Sequence, residues 1–177
     1  INLRINELAA RAGDHWQEMI TTLLLNGRGE TSGLCYDGQY FFDTDHSEGD
    51  SGTQLNLLTS TQVAALDVTT ATAPTAAEAS AAILGVIAHM LGIKDDQGKP
   101  MNHNAKNWLV MASPVMWQTL AGAIYNPLVG SGASNPLINV GAGSGMKIDV
   151  VANPGLSTLT TQMIVFRTDA PARAFIR

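Results

Sequence analysis

Apolar residues recur at spacings of three and four near the start of the chain: Ile5, Leu8, Ala12, Trp16, Met19, Ile20 and Leu23. That period places them on one face and predicts an amphipathic helix over residues 1–26. Asn26-Gly27 supplies a left-handed stop. At 1.5 Å per residue such a helix reaches ~39 Å, long for a small domain, so it is expected to lie along the body as a strut. Gly13 inside it costs about 1 kcal/mol relative to Ala, which predicts a close neighbour there.

The pattern changes after residue 33. Cys35-Tyr36-Asp37-Gly38-Gln39-Tyr40-Phe41-Phe42 sets an Asp-Gly turn among aromatic, strand-prone residues, and Asp43-Thr44-Asp45-His46 opens a polar loop to Gly52. A small hairpin packed on the long helix is expected over residues 33–58. Residues 59–77, a Thr/Ala/Ser tract with Pro74, read as a connector. Thr75-Ala76-Ala77-Glu78 is a capping box, and Ile83, Leu84, Ile87, Met90 and Leu91 form the stripe of a second helix that Gly92 ends. Trp108 to Ala112 is a short apolar run of buried-strand type. Ser113-Pro114 opens a third helix through Trp117, Leu120 and Ile124. Asn126 to Gly145 is rich in Gly, Ser, Asn and Pro and reads as a long loop. Strands are expected at Lys147–Ala152, Gln162–Arg167 and Ala172–Arg177. This order is α+β.

Charged residues make up only 14% of the 177, against about 25% in ordinary soluble chains. With 45% hydrophobic residues, this argues against a disordered chain. A surface so poor in charge suits a subunit covered by copies of itself. The net charge of −5 leaves no excess of cations to neutralise phosphates, which argues against specific nucleic-acid recognition. The charge is also uneven. Asp14 to Glu78 holds ten acids and one base, Arg28, whereas Lys94 onward holds seven bases and four acids. The acidic stretch from Asp14 to Asp50 is expected to face basic C-terminal strands bearing Arg167, Arg173 and Arg177, of a neighbour or of the same chain. The single cysteine, Cys35, excludes an intrachain disulfide. No apolar run approaches the ~20 residues of a membrane span.

Few constellations could carry chemistry. Asp43, Asp45 and His46 gather two carboxylates and an imidazole, yet the calcium-loop spacing lacks its bidentate Glu, so turn caps and an exposed His are expected. Cys35 could meet His46 across the hairpin as an activated thiol, but its neighbours Leu34 and Tyr36 favour a small core residue. Gly141-Ala142-Gly143-Ser144-Gly145 puts no Ser at the centre of a nucleophile elbow, and Met146 stands where a dinucleotide loop needs its third Gly. His15, His89 and His103 have no i+4 partner and read as structural. Trp16, Trp108 and Trp117 sit in core-forming patterns. No cofactor or small-molecule substrate is implied.

The run from Cys35 to His46 resembles a signature of the major head subunit (major capsid protein) family of Mu-like phages and prophages, in the residues Cys35, Tyr36, Asp37, Gly38, Phe42, Asp43, Asp45 and His46. Leu24-Leu25-Asn26-Gly27 before it and Asn56-Leu57 after it agree with that family. The resemblance implies the tailed-phage capsid fold of the Hong Kong 97 type. Residues 1–65 would be the peripheral domain, with the spine helix and the aromatic hairpin. Residues 66–160 would be the axial domain, with helices about a central sheet. Residues 161–177 would return as peripheral strands. The Gly-rich loop would point to the capsomer axis, making Asn139, Gly141, Gly143, Arg167 and Arg173 candidate subunit contacts. It also implies a non-enzymatic shell subunit, assembled in the bacterial host cytoplasm and partnered by copies of itself and by other head proteins. Family members are considerably longer. The chain, starting at Ile1 inside a helical pattern, reads as a fragment expected to fold without building shells alone. The alternative is a small hydrolase using Asp43, Asp45 and His46.

Overall fold

The computed structural model describes residues 2–130 and 132–170. Its elements are α1 (Asn2–Asn26), α2 (Ala76–Leu91), β1 (Asn107–Ala112), α3 (Pro114–Tyr125), β2 (Leu128–Val129), β3 (Ala133–Ser134), α4 (Pro136–Ser144), β4 (Lys147–Ala152) and β5 (Met163–Arg167). Short 3-10 turns lie at Glu30–Ser32, Ala64–Leu66 and Pro154–Leu156. The architecture is α+β. The strand expected at Ala172–Arg177 lies outside the described residues.

The start of α2 follows from four residues. The Thr75 hydroxyl accepts from the Glu78 amide (3.2 Å), and the Glu78 carboxylate accepts from the Thr75 amide (2.8 Å). The same carboxylate also takes the amide and hydroxyl of Thr69, at 2.9 and 2.7 Å, which ties the connector to the helix start. These donors, Thr69 first, hold the Glu78 carboxyl down at about 2, from an ordinary 4.5. A folded-state pKa below the unfolded one gives stability that is complete above pH 4.5 and is lost as pH falls through about 2. Carbon NMR of the Glu78 carboxyl is expected to show it ionised to about pH 2, and Glu78→Gln is expected to remove that acid-range stability loss.

β1 is the central strand of a three-stranded sheet in the order β4-β1-β5, parallel to β4 and antiparallel to β5. Alternation puts Trp108, Val110 and Ala112 on the buried face, opposite Ile148, Val150 and Ala152 on one side and Arg167, Val165 and Met163 on the other. Ile83 and Ile87 of α2 and Met116 and Leu120 of α3 close that face into the core. β5 therefore belongs to the same sheet as β1.

Residues 126–145 are not one loop. β2 and β3 pair as a hairpin, and α4 follows. Asn135 caps α4 by accepting from the Leu137 amide (3.0 Å), with Pro136 in the first turn. Gly145, at φ +70, ends the helix in the left-handed conformation. Asn-Pro is the same start signal as Ser113-Pro114, and the glycines that follow masked it.

Four expectations for α1 and its end are also corrected. Residues 11–19 are exposed, and the helix meets the body through its last turns, where Thr21 and Leu24 are buried and Asn153 Nδ2 donates to Thr21 Oγ1 at 2.9 Å. Trp16 is thus 41% exposed, as is Trp117 on α3; only Trp108 is a core tryptophan. Among the described residues nothing packs on Gly13, within 4 Å of where a Cβ would stand. Gly27 is not left-handed. Its lack of a side chain admits the Phe42 ring, whose Cδ2 would lie 2.9 Å from a Cβ.

Candidate functional site

The run from Cys35 to His46 forms turns rather than a strand pair. The Cys35 amide donates to the Gln39 carbonyl (2.7 Å) and the Gly38 amide to the Cys35 carbonyl (3.0 Å), with Gly38 at φ +80. Among the described residues of 33–58, ladder pairing is limited to one isolated bridge, His46 with Gln54. The reason is that side chains occupy the backbone groups a ladder would use. Asp43 Oδ1 accepts from the Thr44 amide (2.8 Å) and Oδ2 from the Tyr40 amide (3.2 Å). Asn56 Oδ1 accepts from the Asp43 amide (2.9 Å), and its Nδ2 donates to the Phe41 carbonyl (2.6 Å). The Asp43 carbonyl takes the amides of Asn56 and Leu57. The Thr44 and Tyr40 amides are among the donors that hold the Asp43 carboxyl below its ordinary range, Thr44 foremost.

The polar loop then docks on the turn that follows α2. The Gln54 side chain donates to the Lys94 carbonyl (2.9 Å) and accepts from the Lys94 amide (2.6 Å). The Asp50 amide donates to the Asp96 carbonyl (2.7 Å), and His89 Nε2 lies 3.1 Å from the Leu55 carbonyl.

His46 Nδ1 lies 2.6 Å from Asp37 Oδ2, and the Asp37 side chain is buried. That hydrogen bond is the foremost cause that lowers the Asp37 carboxyl. His46, expected to be exposed, is instead half-buried and paired with Asp37, nine residues upstream, rather than with the Asp43 or Asp45 of the hydrolase alternative. A carboxylate behind Nδ1 is half of a general-base arrangement. The other half is missing among the described residues: Nε2 is buried with no hydrogen-bond partner, so no hydroxyl or thiol stands ready to be deprotonated. Burial, followed by the charge of Asp37, pushes the Cys35 thiol up and so disfavours its thiolate. No group of three or more His, Cys, Asp or Glu among the described residues is placed to hold a metal. Nor is any described helix long and apolar enough to cross a membrane.

The candidate contact residues lie on the body. Asn139, Gly141 and Gly143 are on α4, with Asn139 Nδ2 3.3 Å from Ser134 Oγ. Arg167 is engaged within its own chain. Its Nε donates to Asp169 Oδ1 (2.7 Å), and its other nitrogens donate to the Met101 carbonyl and to the side chains of Asn102 and Asn104. Arg173 and Arg177 lie outside the described residues. Sequence reasoning missed Asp37 as the partner of His46, because Asp37-Gly38 reads first as a turn. It missed Asn56 as a lock, although Asn56-Leu57 stood out as a flank. It also missed Asn135, whose signal was the Asn-Pro pair.

Residues 2–76 match the family model described as Mu-like prophage major head subunit gpT. Neither curated proteins nor solved structures give a match. The matched span takes in α1, the turns locked by Asp43 and Asn56, and the connector up to the capping box of α2. Over residues 2–76, less than half of its length, the chain is similar to the Mu-like prophage major head subunit gpT family.

Proposed function

We propose that this chain is a structural subunit of a phage or prophage capsid, self-assembling into an icosahedral head that encloses DNA. The observation that carries the reading is the family match over the module whose turns are locked by side-chain bonds rather than arranged for chemistry. The arrangement after it also supports a tailed-phage capsid fold of the Hong Kong 97 type: a long helix leading to a body in which α2 and α3 cover a small central sheet. In that reading residues 1–65 are peripheral and residues 66–160 axial. β5 is added to the axial sheet, and α4 with the β2–β3 hairpin points to the capsomer axis. Assembly proceeds by weak contacts repeated by symmetry, with heterologous contacts closing into rings. The shell is built in the host cytoplasm from copies of the subunit together with other head proteins.

Electron microscopy of particles from induced host cells, with an antibody against this chain, tests the proposal. Labelling over the whole head surface is expected; heads free of label would overturn it. The enzyme alternative is tested by the Asp43→Ala/His46→Ala double variant of the full-length protein. Hydrolytic activity lost with assembly intact would favour a hydrolase. Because Asp43 caps a turn, the shell reading expects impaired folding or assembly instead.

A further inference from the structure

Two surfaces of the family module are not used by its internal locks. One is an apolar tip: Leu34 is 63% and Tyr36 87% exposed. Glu48 and Asp96 lie near enough to act electrostatically on the Tyr36 phenol. The other is a groove of about 670 Å³ between the module and the body, lined by Ala82, Val86, Leu120, Val165, Leu57 and Arg28 among others. Cavities of about 300–1,000 Å³ hold drug-sized groups, so this one has room for two side chains on a turn. Arg28 is its one permanently charged lining residue and makes no ion pair with any described residue. It is also the one base in the stretch from Asp14 to Glu78 that holds ten acids.

We infer that the Leu34–Tyr36 tip of one copy docks in this groove on a second copy, with the acids beside the tip facing Arg28. The complementarity is of hydrophobicity and of charge: an exposed apolar tip with acids beside it meets an apolar groove lined by a lone cation. Knob and hole are different surfaces of one chain, so the contact is heterologous and propagates into rings or open chains rather than stopping at a pair. The inference rests on the self-assembly reading and names the surfaces that would serve it.

Cys35 lies within the tip and is the chain's single cysteine, which gives a direct test. Thr161 is exposed and lines the groove. Under mild oxidation Thr161→Cys is expected to give a ladder of disulfide-linked multimers, with peptide mass spectrometry showing Cys35 joined to the introduced thiol. Wild type, with one thiol, stops at dimers, and Ala142→Cys on the exposed face of α4 is the control. Adding Arg28→Glu is expected to cut the ladder about tenfold, and further adding Glu48→Arg to restore it. A ladder no stronger than the control overturns the inference, and so does an oxidised monomer bridged within one chain. Light scattering of the wild type separates the two claims. Concentration-dependent association without the ladder removes only the docking surfaces; a monomer at every concentration without the ladder counts against self-assembly as well.

Discussion

Asn135→Ala is expected to destabilise the protein by about 3 kcal/mol, through buried groups left unpaired and a lost helix cap. Asn135 is 1% exposed. Its Nδ2 donates to the Ala123 carbonyl (2.6 Å) and the Asn126 carbonyl (2.7 Å), and its Oδ1 accepts from the Leu137 amide (3.0 Å) and the Ser80 hydroxyl (3.4 Å). One side chain thus ends α3, starts α4 and anchors both to α2. With a urea slope near 2 kcal/mol/M, the midpoint should fall by roughly 1 to 2 M. Asn135→Asp keeps the cap oxygens and loses the donors, so it should still lose a large part of this. A loss under about 1 kcal/mol, the scale of a single net hydrogen bond, would mean that packing of Val129 and Leu137 alone holds the segment.

Gly49→Ala is expected to release the polar loop from the body, at a cost of roughly 3 kcal/mol. Gly49 has φ +51, and a Cβ there would collide with the Asp96 carbonyl, which is backbone and cannot turn aside. The strain of a left-handed alanine adds to the loss of the Asp50 amide bond to that same carbonyl. Hydrogen exchange should therefore accelerate about a hundredfold at Asp50, the rate equivalent of roughly 3 kcal/mol. Exchange at Val110, in the core of the sheet, should change far less. Equal acceleration at both positions would show that the seam and the core unfold as one unit. In the shell reading the seam fixes the peripheral module to the axial body, so the same variant is expected to assemble poorly even where it folds.

The elements that could be read in the sequence are those whose cause is local. The Thr75–Glu78 box, the Ser113-Pro114 start and the apolar run at Trp108 each depend on residues within a few positions of one another, and each lies where expected. The resemblance to the head-subunit family was legible for a different reason, through a long string of residues. Its wrong structural expectation, a hairpin, came from counting aromatic residues and a turn without weighing the side-chain oxygens of Asp43 and Asn56, which occupy the backbone. α4 was hidden because four of its positions and flanks, Gly141, Gly143, Ser144 and Gly145, are Gly or Ser, residues whose helical preference is decided by the capping and burial around them.

By itself, then, the sequence determined the α+β class, the starts of α2 and α3, the central strand and the resemblance of the first module to the head-subunit family. Tertiary structure alone decided four further points. Asp37, not Asp43 or Asp45, holds His46; Arg167 turns inward to Asp169; β5 joins β1; and Trp16 stays at the surface while Trp108 is buried. The physical reason is range. Capping and periodicity act within one or two turns of chain, whereas the partner of a buried charge or the cover over an apolar face is set by whichever distant segment folding brings alongside it.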